Sequence, residues 1–331
     1  MSEAVSDLQL IEALGGRLDG DEITGVLRRP YRYATSAPLE EVVVLAGGEE
    51  RGPLILKDLA RDRLLGNAPA AKPEFLYDPQ REVETYRRIL APAGIGPRCL
   101  AAVVEPSASR CWLLLEKVPG VELWQVGEVD VWEDAARWLG GFHVRFAGDL
   151  DELRASNPHL LEHTATWFRS WCDRAREAAA KSADKRGMEL VSALEGYGEI
   201  VDALAELPQT FIHGELYPSN VLVVRGERPS AVYPVDWEMA AIGPGILDLA
   251  ALTGGWAPPE RQSLARAYLN GMGTTGNSSR ELEELSALLS ICRLHLALQW
   301  VGWSADWRPP PEHAHDWLGE ALGLSRELGL S

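Results

Sequence analysis

Pro119-Gly120 interrupts a strand-rich pattern and marks the best lobe boundary, and that division limits the folds open to the chain. Before it, "EITGVLRRPYRYATSAPLEEVVVLAGGEERGPLILKDL" reads as three strands, with turns at Ser36-Ala37-Pro38 and Gly47-Gly48-Glu49-Glu50. "CLAAVVE" and "CWLLLEKV" add two more. Two helices interrupt them. One is short and amphipathic, in "EAVSDLQLIEAL". The other, "PQREVETYRRILA", places Val83, Tyr86 and Leu90 on one face. Polar and small residues from Arg61 to Pro79 read as a long connection. Beyond Gly120 the period is helical. "VWEDAARWLGGFHVRF", "HLLEHTATWFRSWCDRAREAAA" and "KRGMELVSALEGYGEIVDALAEL" each predict a helix. The short strands "VLVV" and "AVYPV" follow, and then four more helices. A strand-rich first third and a mostly helical remainder predict an α+β chain of two unequal lobes, 1–118 and 119–331. A ligand between such lobes is the default expectation.

Composition excludes some functions. The 331 residues carry 49 acidic and 32 basic side chains, a formal charge of −17. That argues against nucleic acid or an anionic membrane as the main partner. It suits a cationic small substrate, or solubility alone. Cys99, Cys111, Cys172 and Cys292 are scattered with no C-x-x-C pair, which points to reduced thiols rather than zinc or a disulfide framework. No early apolar segment resembles a signal peptide, and no apolar run suggests a membrane span, so a cytoplasmic protein is expected.

The chemistry gathers in "FIHGELYPSNVLVV". An apolar run enters a turn holding His213, Gly214, Glu215, Pro218 and Asn220, and a second apolar run leaves it. Asp236 follows Asn220 by 16 residues, across a predicted hairpin. Magnesium takes oxygen ligands and usually bridges to phosphates, and Asn220 and Asp236 offer two such oxygens. Glu215 would then orient a hydroxyl and accept its proton, the division of labour that phosphoryl transfer needs. Upstream, Lys57 sits in the apolar strand "LILKDL". Either its head is paired or meets an anion, with Glu82 as one partner, or it lies exposed near a strand end.

Together these residues resemble the aminoglycoside phosphotransferase and choline kinase-like family, relatives of the protein kinases. The family's catalytic turn H-G-D-x-x-x-x-N matches "HGELYPSN". Its D-W-E segment and following helix match "VDWEMAAIGPGILDLA". The linker between lobes matches "LLLEKVPG", and a preceding helix with histidine matches "AARWLGGFHVRF" around His143. The resemblance spans roughly Glu22 to Gly255. It implies a protein-kinase-like bilobal fold, with a small antiparallel-sheet lobe and a larger helical one, that binds ATP and Mg2+. By motif match, Glu215 is the catalytic base, Asn220 and Asp236 hold the metal, and Lys57 contacts phosphates and pairs with Glu82. Glu116 and Val118 offer backbone groups to adenine. Asp248 braces the turn, and His213 holds loop backbone.

Two positions depart from the pattern. Glu215 stands where the family has aspartate, so the carboxylate reaches about 1.5 Å further. The glycine-rich phosphate loop is missing. In its place "RPYRYATSAPLEE" offers Thr35 and Ser36 as hydroxyl and amide donors, with Arg32 adding charge. The resulting reading is an ATP- and magnesium-dependent kinase of a small hydroxylated molecule, such as a sugar, an aminoglycoside-like compound or an amino alcohol. A competing reading, motivated by Glu215 and the unusual hairpin, is a pseudokinase-like module that binds nucleotide or metabolite with little turnover. Trp300, Trp303 and Trp307 fall at helical spacing near one face, either as a core face with Leu296 and Leu298 or as an aromatic wall for substrate. Glu312, His313 and His315 are too generic to assign.

Overall fold

The computed structural model describes residues 4–32, 36–66, 68, 72–105, 109–226, 229–273, 279–303 and 315–330. The chain forms two compact units. The first is Met1–Gly120, joined by Ser156–His159 and Val235–Glu238. The second is Val121–Ala155, Leu160–Pro234 and Met239–Ser331.

In the first unit, α1 (Asp7–Ala13) opens with a capping box in which Ser6 and Gln9 satisfy each other's backbone amides. Six antiparallel strands follow: β1 (Arg17–Leu18), β2 (Asp21–Pro30), β3 (Leu39–Ala46), β4 (Glu49–Asp58), β5 (Cys99–Glu105) and β6 (Arg110–Glu116). Their order across the sheet is β1-β2-β3-β4-β6-β5. Strand alternation puts Val42, Val44, Leu54, Leu56, Trp112 and Leu114 into one core with Leu10 of α1. Lys57 therefore takes the opposite face, in register with Leu39 and Leu113. The helix α2 (Pro79–Glu84) is capped by Asp78 and continues through a π-helical stretch, Thr85–Leu90. Val83, Tyr86 and Leu90 are buried, and α2 packs on β5 and β6. The sequence missed β1 because two residues have no period to read. The turn after β3 is tighter than expected, since β4 already begins at Glu49.

The second unit is mostly helical: α3 (Val129–Phe146), α4 (Leu150–Ser156), α5 (Ala165–Ala180), α6 (Arg186–Ala193), α7 (Tyr197–Ala205), α8 (Ile246–Thr253), α9 (Pro258–Gly271), α10 (Ser279–Trp303) and α11 (Trp317–Glu327). Two small sheets support them. One is β7 (Val121–Glu122), β10 (Val221–Val224) and β11 (Ala231–Pro234), ordered β11-β10-β7. The other is β8 (Leu161–Glu162), β9 (Gln209–Ile212) and β12 (Ala241–Pro244), ordered β8-β12-β9. Two helix expectations need correction. "HLLEHTATW" does not start a helix: Leu161–Glu162 pair with β12, and Thr164 caps α5 by accepting the Trp167 amide. "KRGMELVSALEGYGEIVDALAEL" is two helices, because the chain tightens into a 3-10 turn at Leu194–Gly196. By length and composition α10 is apolar enough to cross a membrane, but 56% of that window is buried. Its apolar residues are core, packed against α5, α8 and α11.

Candidate active site

In the first unit a buried lysine bridges two acids. Lys57 Nζ donates to Glu82 Oε1 and Oε2 at 2.9 and 2.7 Å, and to Asp236 Oδ1 at 2.6 Å. The first alternative for Lys57, a paired head, is the one found. Burial pushes its ammonium pKa down, but the charges of Asp236, Glu82 and Glu238 outweigh that and hold it well above the ordinary lysine value. Burial also raises the Glu82 carboxyl above the ordinary carboxylate range, with Lys57 pulling it down and Asp236 and Glu238 pushing it up. Asp236 adopts φ +67°, a left-handed conformation uncommon for a residue with a Cβ. Its neighbour Trp237 is fully buried, and Glu238 pairs with Lys72. Arg81, next to Glu82 on α2, is buried and donates to the carbonyls of Glu238 (2.6 Å), His159 (2.8 Å) and Leu76 (3.0 Å).

Other expected nucleotide contacts also fall in this unit. The Glu116 amide is taken by the Arg98 carbonyl at 2.8 Å. The Val118 amide makes no backbone hydrogen bond among the described residues. The Ser36 carbonyl accepts from the Leu65 amide at 2.9 Å, tying the hairpin tip to the connection after β4. Thr35 lies outside the described residues, as do Trp307, Glu312 and His313.

In the second unit the acidic turn is held from several sides. Asp248, buried on α8, accepts the amides of His213 and Gly214 at 2.7 and 3.0 Å. His143 Nε2 lies 3.4 Å from the same carboxylate, and its Nδ1 meets the Tyr268 hydroxyl at 2.9 Å. Gly214 has φ +83°, and a Cβ there would stand 2.3 Å from the Met239 carbonyl oxygen, so only glycine fits. Asn220 Nδ2 donates to the Glu215 carbonyl at 3.0 Å, which leaves Asn220 Oδ1 as an acceptor. At one end of the β10–β11 hairpin Val221 pairs with Pro234. Asn220 directly precedes Val221, and Asp236 follows Pro234 by two residues.

Aromatic side chains back the turn. Trp300 Nε1 donates to the Tyr217 hydroxyl at 2.6 Å, and Trp300 stacks on Trp317 at 5.2 Å. Burial and then the charge of Glu215 raise the Tyr217 pKa, so it stays protonated. Trp303 instead stacks on Trp171 at 5.9 Å. Trp300 and Trp303 therefore serve different contacts, contrary to the single face expected. Three residues of helix turn side chains about 60° apart, enough to divide them between neighbours.

The sequence model described as the phosphotransferase enzyme family matches residues 38–287. The chain belongs to the phosphotransferase enzyme family. Among curated proteins there is no match. Many solved structures share the fold. Choline kinase LicA from Streptococcus pneumoniae is 13% identical, with 96% of this chain and 98% of that one covered at TM-score 0.58. An ethanolamine kinase from Plasmodium vivax is 13% identical, covering 92% and 81% at 0.58. The GDP and kanamycin complex of APH(2")-IIia is 15% identical, covering 97% and 98% at 0.59. At such identities these likenesses establish the fold of this phosphotransferase, which is protein-kinase-like, with a sheet-based N-terminal part and a helical C-terminal part.

Sequence reasoning passed over Lys72, Arg81, Asn157 and His159. Lys72 lies in a connection of small residues, where nothing marks one lysine from another. Arg81 carries no periodic signal, because its helix was read by its apolar face. Asn157 donates to the Arg81 carbonyl and the Thr85 hydroxyl, both at 3.0 Å, a role set by tertiary position alone.

Proposed function

We propose that this phosphotransferase moves the terminal phosphoryl group of ATP onto a hydroxyl of a small molecule. The observation that carries the reading is the buried Lys57, held between Glu82 and Asp236. Lys57 steadies the phosphates and Glu82 orients it, with the first lobe, 1–118, holding the nucleotide. Ser36, with Thr35, donates to phosphate from the hairpin, and Glu116 and Val118 face adenine through backbone groups.

The donor set fits magnesium. The donors are oxygens: the Asp236 carboxylate, which already faces Lys57, and the side-chain carbonyl of Asn220. Among the described residues no three His, Cys, Asp or Glu gather into a metal cage. Magnesium takes one or two protein oxygens in such sites and completes its shell with phosphate and water. Asp236 and Asn220 would hold it. Magnesium, when bound, neutralises charge on the phosphate oxygens.

In the second lobe, 119–331, the Glu215 carboxylate orients the acceptor hydroxyl and takes its proton. The acceptor oxygen bonds to the γ-phosphorus as the bond to the β,γ-bridging oxygen breaks, and ADP leaves. The formal charge of −17 favours a cationic acceptor, such as an amino alcohol or an amino sugar. An ATP-dependent reaction of this kind belongs in the cytoplasm.

The test is ADP release by the purified protein with ATP, magnesium and a pool of hydroxylated metabolites. Glu215→Ala and Asp236→Ala should each lower turnover at least about 100-fold. Release that survives both substitutions would remove the site assignment. Tight nucleotide binding with no turnover for any acceptor would make the protein a binding module instead.

A further inference from the structure

We infer that Lys72 and Arg81, two cations that no motif marks, are positioning residues that hold the Asp236–Glu238 segment so that Lys57 stays between Glu82 and Asp236. The inference rests on the phosphotransferase reading above, because it explains how that site keeps its shape.

The charge pattern sets the problem. Glu238 acts electrostatically on both Lys57 and Glu82. Left alone, its carboxylate is a third claimant for the Lys57 ammonium. Lys72, 10% exposed, pairs with Glu238 and satisfies that claim, so Lys57 is shared by two acids rather than three. The same three residues, Lys72, Glu82 and Glu238, line one small cavity.

Arg81 fixes the other end of Glu238. Its side chain is buried, and its three hydrogen bonds all go to carbonyl oxygens, those of Leu76, His159 and Glu238. A guanidinium held this way fastens backbone, and burial lowers its pKa below the usual arginine value. The fastening is reciprocal. Asn157 donates to the Arg81 carbonyl, and the His159 ring meets Asp78, the cap of α2, at 2.8 Å. The helix carrying Glu82 is thereby tied to two distant stretches of chain, Ser156–His159 and Val235–Glu238. The tie matters because Asp236 sits at φ +67°, where a side chain is disfavoured. Restraint at Glu238, two residues on, keeps it there.

The experiment uses the full chain without nucleotide. Amide hydrogen exchange at 235–239 is followed by mass spectrometry in the wild type, Lys72→Met, Arg81→Met and Arg81→Lys. Lys72→Met and Arg81→Met should speed exchange there about 10-fold or more, with β2, β3 and α10 unchanged. Arg81→Lys should fall between. Unchanged exchange at 235–239 overturns the inference. Arg81→Met removes a buried cation and risks unfolding, so Lys72→Met carries a second arm. It should raise the magnesium concentration for half-activation about 10-fold, and adding Glu238→Gln should restore it to within about 2-fold. A structural role for Lys72 unrelated to the Glu238 charge would not show that rescue, and its absence overturns the electrostatic argument. Asp236→Ala separates the two claims. If it leaves ADP release intact while Lys72→Met still loosens 235–239, the functional reading fails and the clamp stands.

Discussion

Glu215 is held by its backbone. Its amide faces His213 Nδ1 at 3.3 Å, and its carbonyl accepts from the Tyr217 amide at 2.7 Å and from Asn220 Nδ2. A Cβ on Gly214 before it would meet the Met239 carbonyl oxygen, so the backbones lie close there. A turn pinned this way cannot follow a shorter side chain, so the glutamate's added methylene is part of the geometry. Glu215→Asp is therefore expected to lower kcat by about 10- to 100-fold, with KM for ATP within about 2-fold. Steady-state kinetics check this, and a gain in kcat would mean that the turn accommodates aspartate. At this scale the sequence was legible wherever a residue was out of place for its surroundings. A lysine in an apolar strand demands a partner, and Lys57 has two. Lys72 and Arg81 sit in unremarkable surroundings in sequence and become significant only through contacts more than 150 residues away.

Elements were legible where a period ran long enough. The 25 residues of α10 carry several turns of pattern, and their bounds agree with the sequence reading. The strands β7, β8 and β12 are two to four residues long and exist only because a partner lies beside them. Close helix packing was also invisible. A Cβ at Gly140 of α3 would stand 2.1 Å from the Tyr268 carbonyl oxygen, and one at Gly271 of α9 would stand 1.9 Å from that of Arg137. The two helices approach backbone to backbone at these glycines. Gly271→Ala should destabilise the protein by about 1–3 kcal/mol, read as a lower denaturant midpoint. An unchanged midpoint would mean that α9 can shift away from α3 without loss.

Across the molecule, acidification does two opposite things. It relieves the repulsion implied by a charge of −17, and it charges groups that folding keeps neutral. His295 is the clearest of these. Fully buried beside Tyr197 and Phe168, it has its pKa pushed down to about 3 by burial, with His163 adding to the effect. The unfolded histidine titrates near 6.5, so between these values the unfolded state binds more protons. Stability from this group is complete above about 6.5 and declines as pH falls, by about 2 kcal/mol between pH 7 and 5. Urea unfolding at the two pH values should show a wild-type change more destabilising by that amount than the change in His295→Gln. Equal changes would mean that His295 takes up its proton without cost in the folded protein.

The first unit is assembled from three separate stretches of sequence, and this affects how the protein can be divided or inherited. A crossover at Gly120 would carry away the whole six-stranded sheet, together with Lys57 and Glu82. It would leave behind Asp236 and two of the three carbonyls that Arg81 binds. The lysine would arrive in its new chain with one carboxylate instead of two, and the arginine with most of its bonds unmade. Exchange of this unit between relatives therefore succeeds only when both later stretches travel with it, which makes the chain from Met1 to Glu238 the smallest continuous piece that moves the unit intact.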